Sequence, residues 1–164
     1  MGSRRRHTLL PVTLFLTLLA AFACGKPAGD SFFRSAGSAR SEGGIYRFDI
    51  DFEDSTASYA LDIAARLVAS RFPDGSLDLD IRLLAPDGTS TIERLELPLA
   101  EGACLRMRHG SGSVTDISWR WRDFSPGGGR WSFLIQPADP AQARALQGLG
   151  FSYELNETRN DGKR

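Results

Sequence analysis

From Ile45 onward, segment after segment of this chain alternates apolar and polar side chains with a period of two residues. Tyr46, Phe48, Ile50 and Phe52 fall on one face of an extended chain, with Arg47, Asp49, Asp51 and Glu53 on the other. Tyr59, Leu61, Ile63, Ala65 and Leu67 repeat the pattern, as do Leu77, Leu79, Ile81 and Leu83. A weaker strand is predicted from Thr91 to Leu97. Another runs from Val114 to Arg122, with Ile117, Trp119 and Trp121 facing one way and Ser118, Arg120 and Arg122 the other. Trp131, Phe133 and Ile135 continue the series, and Phe151, Tyr153 and Leu155 end it. Each strand has one oily face, and a lone sheet would leave that face in water. Two sheets pressed together bury both, so the pattern predicts an antiparallel β-sandwich of seven or eight strands.

The punctuation agrees. Pro86-Asp87-Gly88 is a turn in which proline presets φ and glycine accepts a positive one. Pro126-Gly127-Gly128-Gly129 reads as a loop or hairpin end. Asp139 before Pro140 is an N-cap followed by proline at the first helical position, predicting a single short helix to Leu146 broken by Gly148 and Gly150.

The N-terminus carries a different signal. Arg4, Arg5 and Arg6 precede an apolar run from Leu9 to Phe22, and Ala23 stands directly before Cys24. A cationic start, a short greasy middle and small residues at the cut describe a secretory signal peptide. The run is shorter than the roughly 20 residues a spanning helix needs. Ala21-Phe22-Ala23-Cys24 resembles a bacterial lipobox, with Ala21 where leucine is usual. Residues 1–23 are therefore expected to be a lipoprotein signal peptide and Cys24 the lipidated first residue, anchoring the protein to a membrane without a spanning segment. Residues 24–44, rich in Gly, Ser, Ala and Arg, read as a flexible tether, 45–156 as the sandwich domain and 157–164 as a polar tail. Gly25 is not the aspartate that retains enteric lipoproteins at the inner membrane, which favours the outer membrane.

Composition excludes several classes. The expected signal holds three of the 20 basic residues and none of the 20 acidic ones, leaving 17 against 20 in the 141 residues that follow. Nothing there has the basic stripe of a nucleic-acid binder. Cys104, the other cysteine, has no partner if Cys24 is acylated, and its Ala103-Cys104-Leu105 setting predicts a buried, inert thiol. His109 is the sole histidine beyond the signal and no G-x-S-x-G elbow is present, so no triad is expected. Zinc sites draw on several His and Cys ligands, which this chain lacks, and no cofactor or metal is expected. The carboxylates Asp49, Asp51, Glu53, Asp78 and Asp80 could form a calcium site or a glycosidase pair, but a solvated strand face explains them more simply. Trp119, Trp121 and Trp131 could form a carbohydrate-binding platform. All three lie on the apolar faces of their strands, which favours packing.

Several segments together resemble the gliding-motility lipoprotein family GldH of the Bacteroidetes. They are the lipoprotein signal, Tyr46-Arg47-Phe48-Asp49-Ile50, Ser58-Tyr59-Ala60-Leu61-Asp62-Ile63 before Arg66, Leu77 to Leu83, Ala85-Pro86-Asp87-Gly88-Thr89, and Glu93 to Leu97. Gly129-Arg130-Trp131-Ser132-Phe133-Leu134-Ile135-Gln136 and Leu146-Gln147-Gly148-Leu149-Gly150-Phe151 complete the set. The resemblance implies a non-enzymatic envelope lipoprotein that associates with other envelope proteins of a motility or secretion-linked assembly. Only the lipid-bearing position carries over, onto Cys24. A carbohydrate-binding surface lipoprotein is the alternative.

Overall fold

A computed structural model of the protein describes residues 29–36, 44–72, 75–100, 102–110 and 113–156. The expected signal peptide, Cys24 and the tail from 157 lie outside the described residues. Among the described residues, nine strands form two antiparallel sheets, accompanied by one short α-helix and a 3-10 turn at Ala69–Arg71. The strands are β1 (Gly29–Ser35), β2 (Tyr46–Phe52), β3 (Tyr59–Val68), β4 (Ser76–Leu84), β5 (Ser90–Pro98), β6 (Arg106–His109), β7 (Val114–Phe124), β8 (Gly129–Pro137) and β9 (Leu146–Leu155), with α1 (Pro140–Ala145) between the last two. One sheet has the order β1-β9-β3-β7-β6 and the other β2-β8-β4-β5.

The predicted faces hold through most of the sandwich. Tyr46, Phe48, Ile50 and Phe52 are buried while the intervening charges of β2 are exposed. Leu77, Leu79, Ile81 and Leu83 of β4 lie on the same inner face of that sheet, and Leu61, Ile63, Leu67, Leu149 and Phe151 meet them from the other. Fully burying a side chain of this size stabilises by about 1.5–3 kcal/mol. The interior is strongly aromatic at its centre: Phe133 and Phe151 lie 4.6 Å apart between ring centroids, and Phe48 is 5.6 Å from Phe151.

Among the described strands only two connections are hairpins within a sheet, β4–β5 and β6–β7. In the first, Gly88 donates its N–H to Ala85 O and Asp87 Oδ1 accepts from Thr89 N, as the Pro-Asp-Gly turn predicts. The triglycine segment is not a hairpin. It carries the chain from β7 in one sheet to β8 in the other, with Gly127, Gly128 and Gly129 all at positive φ, a path that residues with a Cβ rarely follow. Asp139 caps α1 by accepting from Ala141 N, and Gln142 fastens the helix to β4 by accepting from Asp78 N and donating to Ser76 O.

Three departures from the sequence reading matter. Gly29–Ser35, expected inside a flexible tether, is an edge strand paired along its whole length with β9. Gly148 and Gly150, expected to break the chain after the helix, lie within β9. Their missing side chains make room for Phe33: a Cβ on Gly148 would sit 2.4 Å from Phe33 Cζ, and one on Gly150 3.3 Å from its Cδ2. The aromatic ring of one strand thus covers the bare backbone of its neighbour. Finally, the register of β3 on β7 slips between Leu61 and Asp62, where Leu61 faces Arg122 and Asp62 faces Arg120, leaving Trp121 as an extra residue. Beyond this bulge the alternation of β7 inverts. Arg122, predicted to point outward, turns into the sandwich together with Trp121.

Candidate functional site

The inward Arg122 meets Glu93 of β5 across the sandwich, Nη1 to Oε1 at 2.8 Å. Glu93 is carried inward by the period of β5, which also buries Leu97. The Arg122 guanidinium lies 4.6 Å from the Trp121 ring and 5.4 Å from the Phe124 ring, a cation resting on aromatic faces. Trp131 packs edge-on against Phe124 at 4.9 Å. Among the described residues Arg122 Nε, Trp131 Nε1 and the Tyr46 hydroxyl are buried without a hydrogen-bond partner.

The three tryptophans are part of this interior. Trp119 is 3 % exposed and its Nε1 donates to Pro98 O at 2.9 Å, tying one sheet to the other. Trp121 is half-buried, edge-on to Phe133 at 6.3 Å and to Phe151 at 6.4 Å. Trp131 is half-buried against Phe124. They do not share an open outer face on which sugar rings could stack.

The carboxylates of interest are spread along the outer faces, and Asp49, Asp62 and Asp80 are held by cations. Asp49 accepts from Arg47 Nε at 2.9 Å and from the Ser132 hydroxyl, and Arg130 lies 3.6 Å away. Partial burial works against its charge, but the Ser132 and Arg47 bonds, with the charges of Arg47 and Arg130, outweigh it and hold the carboxyl below its usual range. Asp78, on β4, is separated from β2 by β8 and takes a hydrogen bond from the Ser76 hydroxyl at 3.3 Å. Asp80 lies 3.8 Å from Arg94. Asp62 is paired with Arg120. Among the described residues, no group of three or more His, Cys, Asp or Glu side chains could hold a metal ion. His109 ends the exposed edge strand β6, its Nδ1 3.3 Å from Thr115 Oγ1. Cys104 is a free, half-buried thiol beside Leu105, which is exposed.

The least committed surface lies on the outer face of the five-stranded sheet. One row across the strands runs Phe33, Gly150, Ala64, Ser118, Arg106. The next runs Ser35, Gly148, Arg66, Asp116, Arg108. Arg66 grips Asp116 with a two-pronged fork, Nε to Oδ1 at 2.7 Å and Nη2 to Oδ2 at 3.0 Å. That fork holds the Asp116 carboxyl below its usual range against a smaller opposing effect of burial, with help from the charges of Arg66 and Arg108. The Arg66 guanidinium also lies 5.5 Å from the Phe33 ring. Together these side chains border a groove of about 250 Å³. A second groove, about 370 Å³, lies on the opposite sheet and is lined by Ile45, Arg82, Ile92 and Leu134. The tether expectation hid Phe33, and Arg106 and Arg108 lie on β6, a strand the sequence alternation did not predict.

No family model matches the chain, and no curated protein does either. Among solved structures, a protein from Sulfurospirillum deleyianum aligns at 12 % identity and a TM-score of 0.34, covering 80 % of this chain and 99 % of its own. A structure of the infectious bursal disease virus Gt strain aligns at 12 % identity and a TM-score of 0.16, covering 77 % of this chain and 38 % of its own. Both scores lie below the level at which a shared fold can be read. Among the described residues no helix is long and apolar enough to cross a membrane.

Proposed function

We propose that this chain is a non-enzymatic cell-envelope lipoprotein of the gliding-motility type, anchored at Cys24 and serving as a protein-interaction or structural component of an envelope assembly. The observation that supports an interaction role is the groove across the outer face of the four-stranded sheet. It runs from Ile45 beside β2, over Leu134 of β8 and Arg82 of β4, to Ile92 of β5, which is 65 % exposed. A protein segment laid across that face covers apolar side chains that the sandwich itself leaves partly in water. Of the carboxylates weighed as an acid–base pair, Asp49 and Asp80 are by contrast held by arginines and Asp78 by the Ser76 hydroxyl, on an open face, which favours binding over catalysis.

The test is recovery of partners from detergent-solubilised envelopes with tagged protein. A partner retained by the wild type and by Asp51→Ala, and lost on Ile92→Glu with Leu134→Glu in a folded protein, is the expected result. Recovery indifferent to the Ile92 and Leu134 changes removes this groove from the proposal. For the anchor, radioactive fatty acid is expected on the wild type alone; label persisting after Cys24→Ser refutes acylation there. Fractionation that leaves the labelled protein out of the outer membrane refutes that location.

A further inference from the structure

We propose that the outer face of the five-stranded sheet, around Phe33, Arg66, Arg106 and Arg108, binds the anionic headgroups of a phospholipid surface. The inference rests on the anchored reading above, and adds that the domain lies down on the membrane rather than hanging free of it. Three arginines border this groove against one aspartate, and Arg66 already satisfies that aspartate through its fork. Arg106 has no carboxylate within ion-pair distance among the described residues, and Arg108 has only the shared field of Asp116. The local excess is positive although the chain beyond the signal is slightly acidic. A guanidinium presents a planar fork of donors that matches a phosphate, and its weak hydration suits an interface.

Two further observations select a lipid surface over a free anion. Phe33 is 47 % exposed on the β1 side of the cationic patch with Arg66 beside it, and an aromatic ring next to arginine is the pairing that enters the boundary between headgroups and acyl chains. Its ring is held in place, resting on Gly148 and Gly150 with the Arg66 guanidinium beside it, so it loses little freedom on docking. The second is chain length. Gly29 opens β1 five residues after Cys24. At about 3.3–3.6 Å per extended residue, the strand that carries Phe33 starts within about 18 Å of the acyl chains. A lipidated Cys24 therefore holds this face close to a bilayer at all times.

The experiment uses a chain beginning at Gly25, which carries every described strand of both sheets and has neither a signal segment nor an acylation site, so its outcome does not depend on the anchor. Co-sedimentation is measured with vesicles of phosphatidylcholine, and of phosphatidylcholine doped with phosphatidylglycerol. Binding is expected only to the doped vesicles, and should weaken as salt shortens the screening length from about 10 Å at 0.1 M to about 3 Å at 1 M. A basic side chain near an anionic surface is worth about fivefold in partitioning, so Arg106→Glu with Arg108→Glu should weaken binding by at least about 25-fold. Phe33→Ala should weaken it at constant salt dependence. Arg82→Glu with Arg94→Glu, on the other sheet, should leave it unchanged. Equal binding to undoped vesicles, no binding to either, or retention by the Arg106/Arg108 variant overturns the proposal. Binding to soluble polyglutamate without binding to doped vesicles overturns it in favour of an acidic protein partner.

Discussion

The bulge at Trp121 makes a quantitative prediction, because it brings a charge into the sandwich that strand alternation would have left in water. Glu93 and Arg122 meet at 2.8 Å with side chains 31 % and 32 % exposed. At an effective dielectric constant of about 20, two unit charges at that separation attract by roughly 6 kcal/mol. Removing two-thirds of the surrounding water from each, and pinning two flexible side chains, consumes most of that. A net coupling of about 1–3 kcal/mol is expected. The assay is a double-mutant cycle with Glu93→Gln and Arg122→Met, read by urea denaturation. Methionine keeps an apolar stem against Trp121 and removes the unpartnered Nε, so Arg122→Met should be the milder of the two ways of breaking the pair. Each single change should destabilise, and the double should destabilise by about 1–3 kcal/mol less than their sum. The coupling should largely survive 1 M salt, as screening acts weakly on a pair with so little water around it. Additivity to within about 0.3–0.5 kcal/mol would refute the reasoning, since sites without shared partners behave that way.

Other outcomes follow from the same geometry. Ile81→Asp places a carboxylate where exposure is zero and should unfold the domain by circular dichroism, whereas Asp51→Ala on the outer face should shift stability by less than about 0.5 kcal/mol. Gly148→Ala sets a Cβ against Phe33 and 2.9 Å from Arg34 O, and should destabilise by about 1–3 kcal/mol. Phe33→Ala in the same chain should relieve only the ring's share of the clash, so partial rescue in thermal melts is expected and complete rescue would contradict the backbone contact. The Arg66–Asp116 fork stabilises in full above the ordinary carboxyl value of 3.8 and is lost as the pH falls through the lower folded-state value. Asp116→Asn should therefore lower stability near neutrality and flatten the acid limb of a stability–pH profile, the variant and the wild type converging at the acid end, and an unchanged acid limb would sink that assignment.

Alternation made β2, β3, β4 and the first half of β7 legible residue by residue, because each has one face buried and a one-residue slip would wet all of it. The bulge was invisible for the same reason. Trp121 and Arg122 fit an unbroken alternation as written, and only the register against β3 shows that both turn inward. β1 and the start of β9 were missed together. Phe32 and Phe33 are adjacent rather than alternating, and Gly148 and Gly150 lower strand propensity when read alone. Paired, they make sense, since the ring of one strand fills the bare surface of the other. The tryptophans were legible as packing residues from their faces. The cationic groove was not, because its members come from β1, β3, β6 and β7 and share nothing in sequence.

The pairing of β1 with β9 also bears on how the domain answers a mechanical load. Gly29 stands opposite Glu154, so the first and last strands start and finish at the same end of the sandwich. Tension arriving along an N-terminal tether therefore falls first on an outermost strand and pulls its ladder open one rung at a time, beginning at Gly29. Peeling seven residues of β1 would lengthen the leash while the aromatic interior stayed shut. With the anchor proposed at Cys24, a sheet edge placed in series with it in this way would behave as an extensible, self-resetting slack.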